Sequence, residues 1–532
     1  MVPFVLPPFL YAETHYRFPF FVSLLKKPEP EVVIDAPHRL EPGRQLPLLV
    51  LVKDAHMYPA LLHEVTAFIR LPNGEEIGRQ LVTEPIDLKE QWWWKVFEID
   101  VSRLQGTIEV DVRFTLETRG KRRAYHNDNY RTSSRAPLRI YIAGDPLPRV
   151  PGLYYGDLHT HSHYTTDQVE YGSPPSASRT LSEAMGLSFF AVTDHSYDLD
   201  DAVDHYLVND PELTKWKSLQ MELDTLNAGT KTFVIIRGEE ISCGNRRGKN
   251  VHLLNLGARA FLAGSGDSAE RWFQLKPEHS IQEIVKHKEE RTLLAAAHPT
   301  EPVPFLQKLL LGRDIWRKDD WSTGIEGFQC ANGTWAEGFQ QGKQEWISTL
   351  LDGTRMILLG GNDAHGNFNR FRQIGIPFFR IRESTKHIWG KIRTAVFVDD
   401  PLTEESILMA LKGGRCIVTD GPVVSFSVSL QNGKSGHIGN RVVGKTLTLK
   451  LSARSSREFG ALDAIRIYRG DLDKRAEGVI QSWDGIAAYA EELEIPLDVS
   501  GPSYLRAEAV TLSDSWDSLP HFCFTNPIWI SP

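Results

Sequence analysis

The feature that most restricts this chain is a set of short apolar runs between residues 152 and 400, each of which stops on polar or ionisable side chains. LSFFAVTDH, KTFVIIRGEE, RTLLAAAHP, IEGFQCANG and RMILLGGNDAH all have this form. Runs of this length suit buried strands. The stretches between them, among them SASRTLSEAMG, KWKSLQMELDTLNAG and SIQEIVKHKEE, carry helical spacing, with Ser280 placed as an N-cap and Glu283 three residues later. Repeated strand then helix predicts a mainly parallel sheet or barrel, whose strand ends bring side chains to one site.

The flanks read differently. LPLLVLVKD, EVTAFIRLPNGEEIG, WWWKVFEIDV and TIEVDVRFTLETRG are strand-like, and Pro72-Asn73-Gly74 marks a turn, so residues 1–148 are expected to form an N-terminal β domain. Trp92, Trp93 and Trp94 place aromatics on both faces of one strand, which fits packing between domains or a ligand-stacking platform. AGDPLPRVPG reads as the linker into the region 152–400. A helical connection at 401–420 and a C-terminal β-sandwich at 421–532 complete the expected order, since VVSFSVSL, KTLTLKLSARS and AIRIYRG return to β patterning.

Composition narrows the function. With 41% hydrophobic and 24% charged residues in 532, the chain is neither a disordered tail nor a fibre. Its net charge of −8 disfavours nucleic acid and anionic lipid as partners. Cys243, Cys330, Cys416 and Cys523 lie far apart without a CxxC pair, which points to a reducing compartment. The N-terminal MVPFVLPPFLYAETHYRFPFF lacks a basic start and is broken by prolines, and no segment has the apolar length of a membrane span, so a cytoplasmic, soluble protein is expected.

The densest chemistry is GDLHTHSHYTTD. Residues two apart in an extended segment point the same way, so His159 and His161 can face one centre, with His163 and Asp167 close behind. The pattern recurs: Asp194 and His195 in AVTDH, Glu239 and Glu240 in RGEE, His252 in KNVHLLNLG, His298 in AAAHP, Asp363 and His365 in GGNDAH. Ionisable groups beside buried strands cost several kcal/mol unless compensated, and bound metal compensates all of them at once. Imidazole with carboxylate suits zinc, manganese or iron, and this many ligands exceeds the need of one ion.

This ordered set, HxH, TDH, G-x-E, a lone His, AHP and DAH, resembles the PHP (polymerase and histidinol phosphatase) metallohydrolases over residues 155 to 400. TEESILMALKGGRCIVTDGP further resembles the long multidomain branch with carbaryl-hydrolase-like members. The resemblance implies an α/β fold, a PHP-type distorted (β/α)7 barrel flanked by N-terminal and C-terminal β-sandwich-like domains. It implies two or three divalent metal ions held by His159, His161, Asp167, His195, Glu240, His252, His298, Asp363 and His365. The interval from His161 to Asp167 is one residue longer than the family's, which leaves His163 as an alternative ligand, and Glu239 remains an alternative to Glu240.

Around these, Asp157 and Asp194 either hold ligand imidazoles in one tautomer, Asp194 then being an auxiliary catalytic residue, or belong to a surface salt bridge or cap. Asn332 either lines the cleft or makes a turn. Arg370 and Arg372 either bind a substrate anion or belong to a solvated loop. Arg246, Arg247 and Lys249 form a basic loop that is either solvent-exposed or steers an anion toward the site. The expected function is a metal-dependent phosphoesterase acting on a small anionic phosphoester. A metal-dependent carbamate, ester or amide hydrolase is the alternative, and a metal-stabilised binding or scaffold protein a second one.

Overall fold

The computed structural model describes residues 27–532 apart from 131–133, 166–170, 204, 267–274, 304–307, 310–311, 322–323, 371–372, 377–378, 383–386, 400 and 431–432. Contacts divide the chain into two units. The first comprises residues 1–144, 161–186 and 364–389; the second comprises 145–160, 187–363 and 390–532.

The first unit is built from β-sheets. A three-stranded antiparallel sheet contains Glu31–Asp35, Leu46–Lys53 and Trp92–Ile99, and a larger sheet is centred on Ala60–Arg70 and Gly106–Thr118. Alternation along Gly106–Thr118 sends Ile108, Val110, Val112, Phe114 and Leu116 into a core shared with Leu46, Leu48, Val50 and Val52 from the other sheet. Each such side chain contributes about 1.5–3 kcal/mol by leaving water. Leu46–Lys53 is buried at every position, because the helix Pro175–Ala184 packs against this strand. In the Trp92–Trp94 run, Trp93 packs on the core, while Trp92 and Trp94 lie 5.7 and 5.9 Å from the ring of His163.

The second unit is organised by one large sheet. Its path runs Ile357–Gly361, Gly327–Asn332, Leu293–Ala297, Asn250–Leu256, Val234–Gly244, Phe189–Val192, Leu153–Thr160, Arg393–Phe397, Cys416–Thr419, and on into the C-terminal strands. Helices Thr214–Ala228, Ile281–His287, Glu337–Leu351 and Glu404–Lys412 belong to this unit. Ser280 caps Ile281–His287 in a reciprocal box with Glu283. A separate four-stranded antiparallel sheet holds Val423–Leu430 and Thr446–Arg454.

The expected (β/α)7 barrel is not what the chain forms. Among the described residues strand accounts for 45% and helix for 14%, so most strands have no crossover helix. Leu153–Thr160, Phe189–Val192 and Val234–Gly244 pair in parallel, but Gly238–Gly244 then turns into an antiparallel hairpin with Asn250–Leu256. Only Asn245–Lys249 join them, with Gly248 at φ 66°, and five residues cannot contain a crossover helix. Asn250–Leu256 is antiparallel to Leu293–Ala297 as well, and Leu153–Gly156 is antiparallel to Thr394–Phe397. The fold is therefore mainly β, with parallel segments interrupted by hairpins.

No helix among the described residues is long and apolar enough to cross a membrane.

Candidate metal centre

Within the second unit, six of the expected ligands converge, and Glu240 is their hub. Its carboxylate is buried, with Oε1 lying 2.8 Å from His252 Nδ1 and 3.2 Å from His298 Nε2. Oε2 lies 3.1 Å from His195 Nδ1 and 3.3 Å from His159 Nε2. Asp363 Oδ1 stands 3.4 Å from that same His159 Nε2.

The strands explain the convergence. His159 ends Leu153–Thr160, His195 follows Phe189–Val192, His298 follows Leu293–Ala297 and Asp363 follows Ile357–Gly361. Backbone bonding from Glu240 N–H to the Asp194 carbonyl bridges the His195 and Glu240 segments. In the hairpin Glu240 pairs with Leu254 and Ser242 with His252, so Glu240 and His252 occupy the same face. His298 and Asp363 both have positive φ, at 29° and 52°, the kind of strained backbone that persists where surrounding contacts enforce it. Tyr197 stacks on the His195 ring at 4.7 Å, a contact not foreseen from sequence.

The electrostatics match. Burial opposes charge on His159, yet the Glu240 and Asp363 carboxylates raise its pKa to about 9. Burial likewise opposes charge on Glu240, and the imidazoles of His252, His159 and His195 outweigh it, holding this carboxyl well below its ordinary value. Buried carboxylate and imidazoles thus stabilise each other's charge, and the site favours positive charge beside the Glu240 and Asp363 oxygens.

The donor set is one that could hold a divalent metal. Ligand atoms placed tetrahedrally about 2.0–2.1 Å from one zinc ion stand about 3.3 Å from one another. The N···O separations here run from 2.8 to 3.4 Å, and His195, Glu240 and His252 offer ligand atoms that all lie within 4.8 Å of one another. Glu240 presents one oxygen to each of two imidazole pairs, His252 with His298 and His195 with His159.

Glu239 faces elsewhere. Its carboxyl accepts from Asn255 Nδ2 at 2.9 Å, Leu262 N at 3.2 Å and Ser196 Oγ at 3.3 Å, and burial pushes its pKa up to about 8. Neighbours along a strand point to opposite faces, so one carboxylate of the pair turns to the imidazoles and the other to the hydroxyl and amides.

The remaining expected residues are distributed as follows. His161 and His365 lie in the first unit, where their rings stack at 4.1 Å with planes 5° apart. Asp167 and Arg372 lie outside the described residues. His163 packs among Trp92, Trp94 and Tyr164. Asp194 is buried beside His195. Asp157 accepts from Asn362 Nδ2 at 2.6 Å, Gly390 N at 2.9 Å and the His159 backbone N at 3.2 Å, so it ties three segments together rather than holding an imidazole.

Arg370 corrects the expectation of a substrate-binding guanidinium. It is 4% exposed, and it donates to the backbone carbonyls of Ile34, Ser134 and Ala136 within the first unit. An arginine spent on buried carbonyls fastens the chain and does not meet an incoming anion.

No protein-family model and no curated protein matches the chain. Solved structures that align over most of it include a putative beta-galactosidase from Bacteroides fragilis, at 10% identity and TM-score 0.18, covering 95% of this chain and 73% of that one. A Parabacteroides merdae beta-glucuronidase aligns at 9% identity and TM-score 0.19, covering 94% and 65%. An Escherichia coli alpha-2-macroglobulin aligns at 8% identity and TM-score 0.15, covering 96% and 24%. Likenesses at these scores establish neither a shared fold nor a shared activity.

The most informative residue missed by sequence reasoning is Gln329. It sits inside the apolar run GFQCAN, fully buried, and a buried amide in mid-strand was the available signal.

Proposed function

We propose that the chain is a metal-dependent hydrolase acting on a small anionic ester, with a phosphoester as the first substrate class, in line with its resemblance to the PHP metallohydrolases. The observation that carries this reading is the buried Glu240 carboxylate facing four imidazole nitrogens. His159, His195, Glu240, His252, His298 and Asp363 would hold the ions. Divalent metal, when bound, supplies a water of lowered pKa and positive charge opposite developing oxyanions.

The chain's own residues account for orientation and access. His159, Glu240 and His252 form the floor, with side chains 0%, 1% and 4% exposed, which excludes bulk water. His298 and Asp363, at 20% and 22%, form the open edge and orient a substrate arriving there. Two divalent cations against the Glu240 and Asp363 carboxylates leave a net positive centre, which favours an anion over a neutral ester.

Chelator-stripped protein, restored with zinc or manganese, should regain hydrolysis of nitrophenyl phosphate or a phosphodiester analogue. Parallel assays with nitrophenyl carbamate and acetate discriminate the chemistry. Metal-restored activity confined to the carbonyl substrates would refute the phosphoester assignment, and no activity on either set would refute the hydrolase.

A further inference from the structure

We infer that Gln329 is a positioning residue that selects the tautomer of His159 and so decides which imidazole nitrogen meets metal; this rests on the metal reading above. The argument begins at Glu301. Its carboxylate accepts from Asn332 Nδ2 at 2.9 Å, which turns Asn332 Oδ1 toward Gln329, whose Nε2 donates to it at 3.0 Å. A second contact from Gln329 Nε2 reaches the Ala331 carbonyl at 3.4 Å. The other end of the amide is therefore oxygen. The backbone N–H of His298 confirms this assignment, since an obligatory donor lies 3.0 Å from Gln329 Oε1.

That same oxygen lies 3.2 Å from His159 Nδ1. An amide oxygen can only accept, so Nδ1 keeps its proton, and Nε2, facing the space between Glu240 Oε2 and Asp363 Oδ1, is the nitrogen that would give up its proton to meet a metal. Those two carboxylate oxygens favour positive charge at Nε2, which a proton supplies in the metal-free protein and a bound cation would supply in its place. The ring cannot rotate away easily: a Cβ at Gly361 would lie 2.8 Å from His159 Cβ and 3.4 Å from Gln329 Nε2, so strand Ile357–Gly361 presses on both residues. Gln329 also holds the backbone of His298, whose φ of 29° is strained, so one side chain fixes two of the ligands.

The test uses the full chain, zinc and two variants. Gln329→Leu removes the acceptor, while Gln329→Glu, buried and protonated on the oxygen facing Asn332 Oδ1, keeps its other oxygen as acceptor toward His159 and His298. Calorimetric titration of metal-stripped protein should find zinc affinity lowered about 10–100-fold in Q329L, the range for losing an outer partner of a ligand imidazole, and retained in Q329E. In zinc-loaded, 15N-histidine-labelled protein, the His159 signal, assigned by its absence in His159→Asn, should show a protonated Nδ1 in wild type and Q329E and lose it in Q329L. Unchanged affinity and tautomer in Q329L overturn the inference, whereas wild-type protein that takes up no zinc overturns the metal reading itself. If Q329L does not fold, Q329E decides alone: a folded Q329E protein with weakened zinc binding contradicts the role.

Discussion

His252 Nδ1 and Glu240 Oε1 stand 2.8 Å apart on the same face of one hairpin, and this is the shortest of four imidazole contacts made by that carboxylate. The hairpin gives the pair its rigidity, because a shift of one residue in register would turn both side chains to the opposite face.

Glu240→Gln keeps the shape of this hub and removes its charge. Zinc affinity should fall by more than the roughly 10–100-fold that loss of an outer partner causes, and turnover should fall with it. Calorimetry on stripped protein and steady-state assays on the restored enzyme check both.

Glu239→Gln provides the contrast one residue away. The amide oxygen of Gln can keep the Asn255 and Leu262 donors while the Ser196 hydroxyl turns to accept from the new NH2, so stability should change by less than about 1 kcal/mol and zinc content should stay at the wild-type level. Denaturant unfolding and elemental analysis of the variant measure these. Loss of metal in E239Q would mean that the wrong carboxylate has been placed at the hub.

The distinction between these two carboxylates shows how far the sequence could be read. Spacing selected Glu240 but left Glu239 open, because residue identity along a strand does not say which face is buried against what; the pairing of Ser242 with His252 decides it. The ligand types were legible since most of them, such as His195, His298 and Asp363, follow an apolar run, whereas His252 stands near the start of its strand. The barrel was misread for a physical reason: short apolar runs look alike in parallel and antiparallel sheets. The five-residue connection Asn245–Lys249, too short for a helix, was the clue to the hairpin. Arg370 looked like an anion binder because its buried carbonyl partners come from Ile34, Ser134 and Ala136, far away in sequence.

That buried arginine yields its own prediction. Burial pushes the Asp35 carboxyl up to about 7 while Arg370 pulls it down, and Asp35 accepts from the backbone N–H groups of Phe368 and Arg370. Arg370→Met should destabilise the protein by about 3–5 kcal/mol, as losing one member of a buried charged group does. Zinc affinity of the folded fraction should be unchanged. Urea unfolding paired with calorimetry separates the two effects.

His521 supplies a pH dependence away from the metal centre. Its Nδ1 lies 3.2 Å from Asp420 and its Nε2 3.3 Å from Asp517; burial opposes its charge, but the two carboxylates raise its pKa to about 9. A folded pKa above the unfolded value of about 6.5 gives stability that is complete below pH 6.5 and lost as pH rises through 9. The contribution is on the order of 3 kcal/mol. The difference in unfolding free energy between wild type and His521→Gln, followed from pH 6 to pH 10, should shrink across that window; a constant difference would exclude an imidazolium at this position.

Elemental analysis of protein purified without a metal-affinity tag, beside Glu240→Ala prepared identically, tests the central claim most directly. The account predicts at least one equivalent of zinc, manganese or iron per wild-type chain and a marked loss in the variant. Wild-type protein that stays metal-free after incubation with these ions, or a variant that retains the full complement, would contradict it.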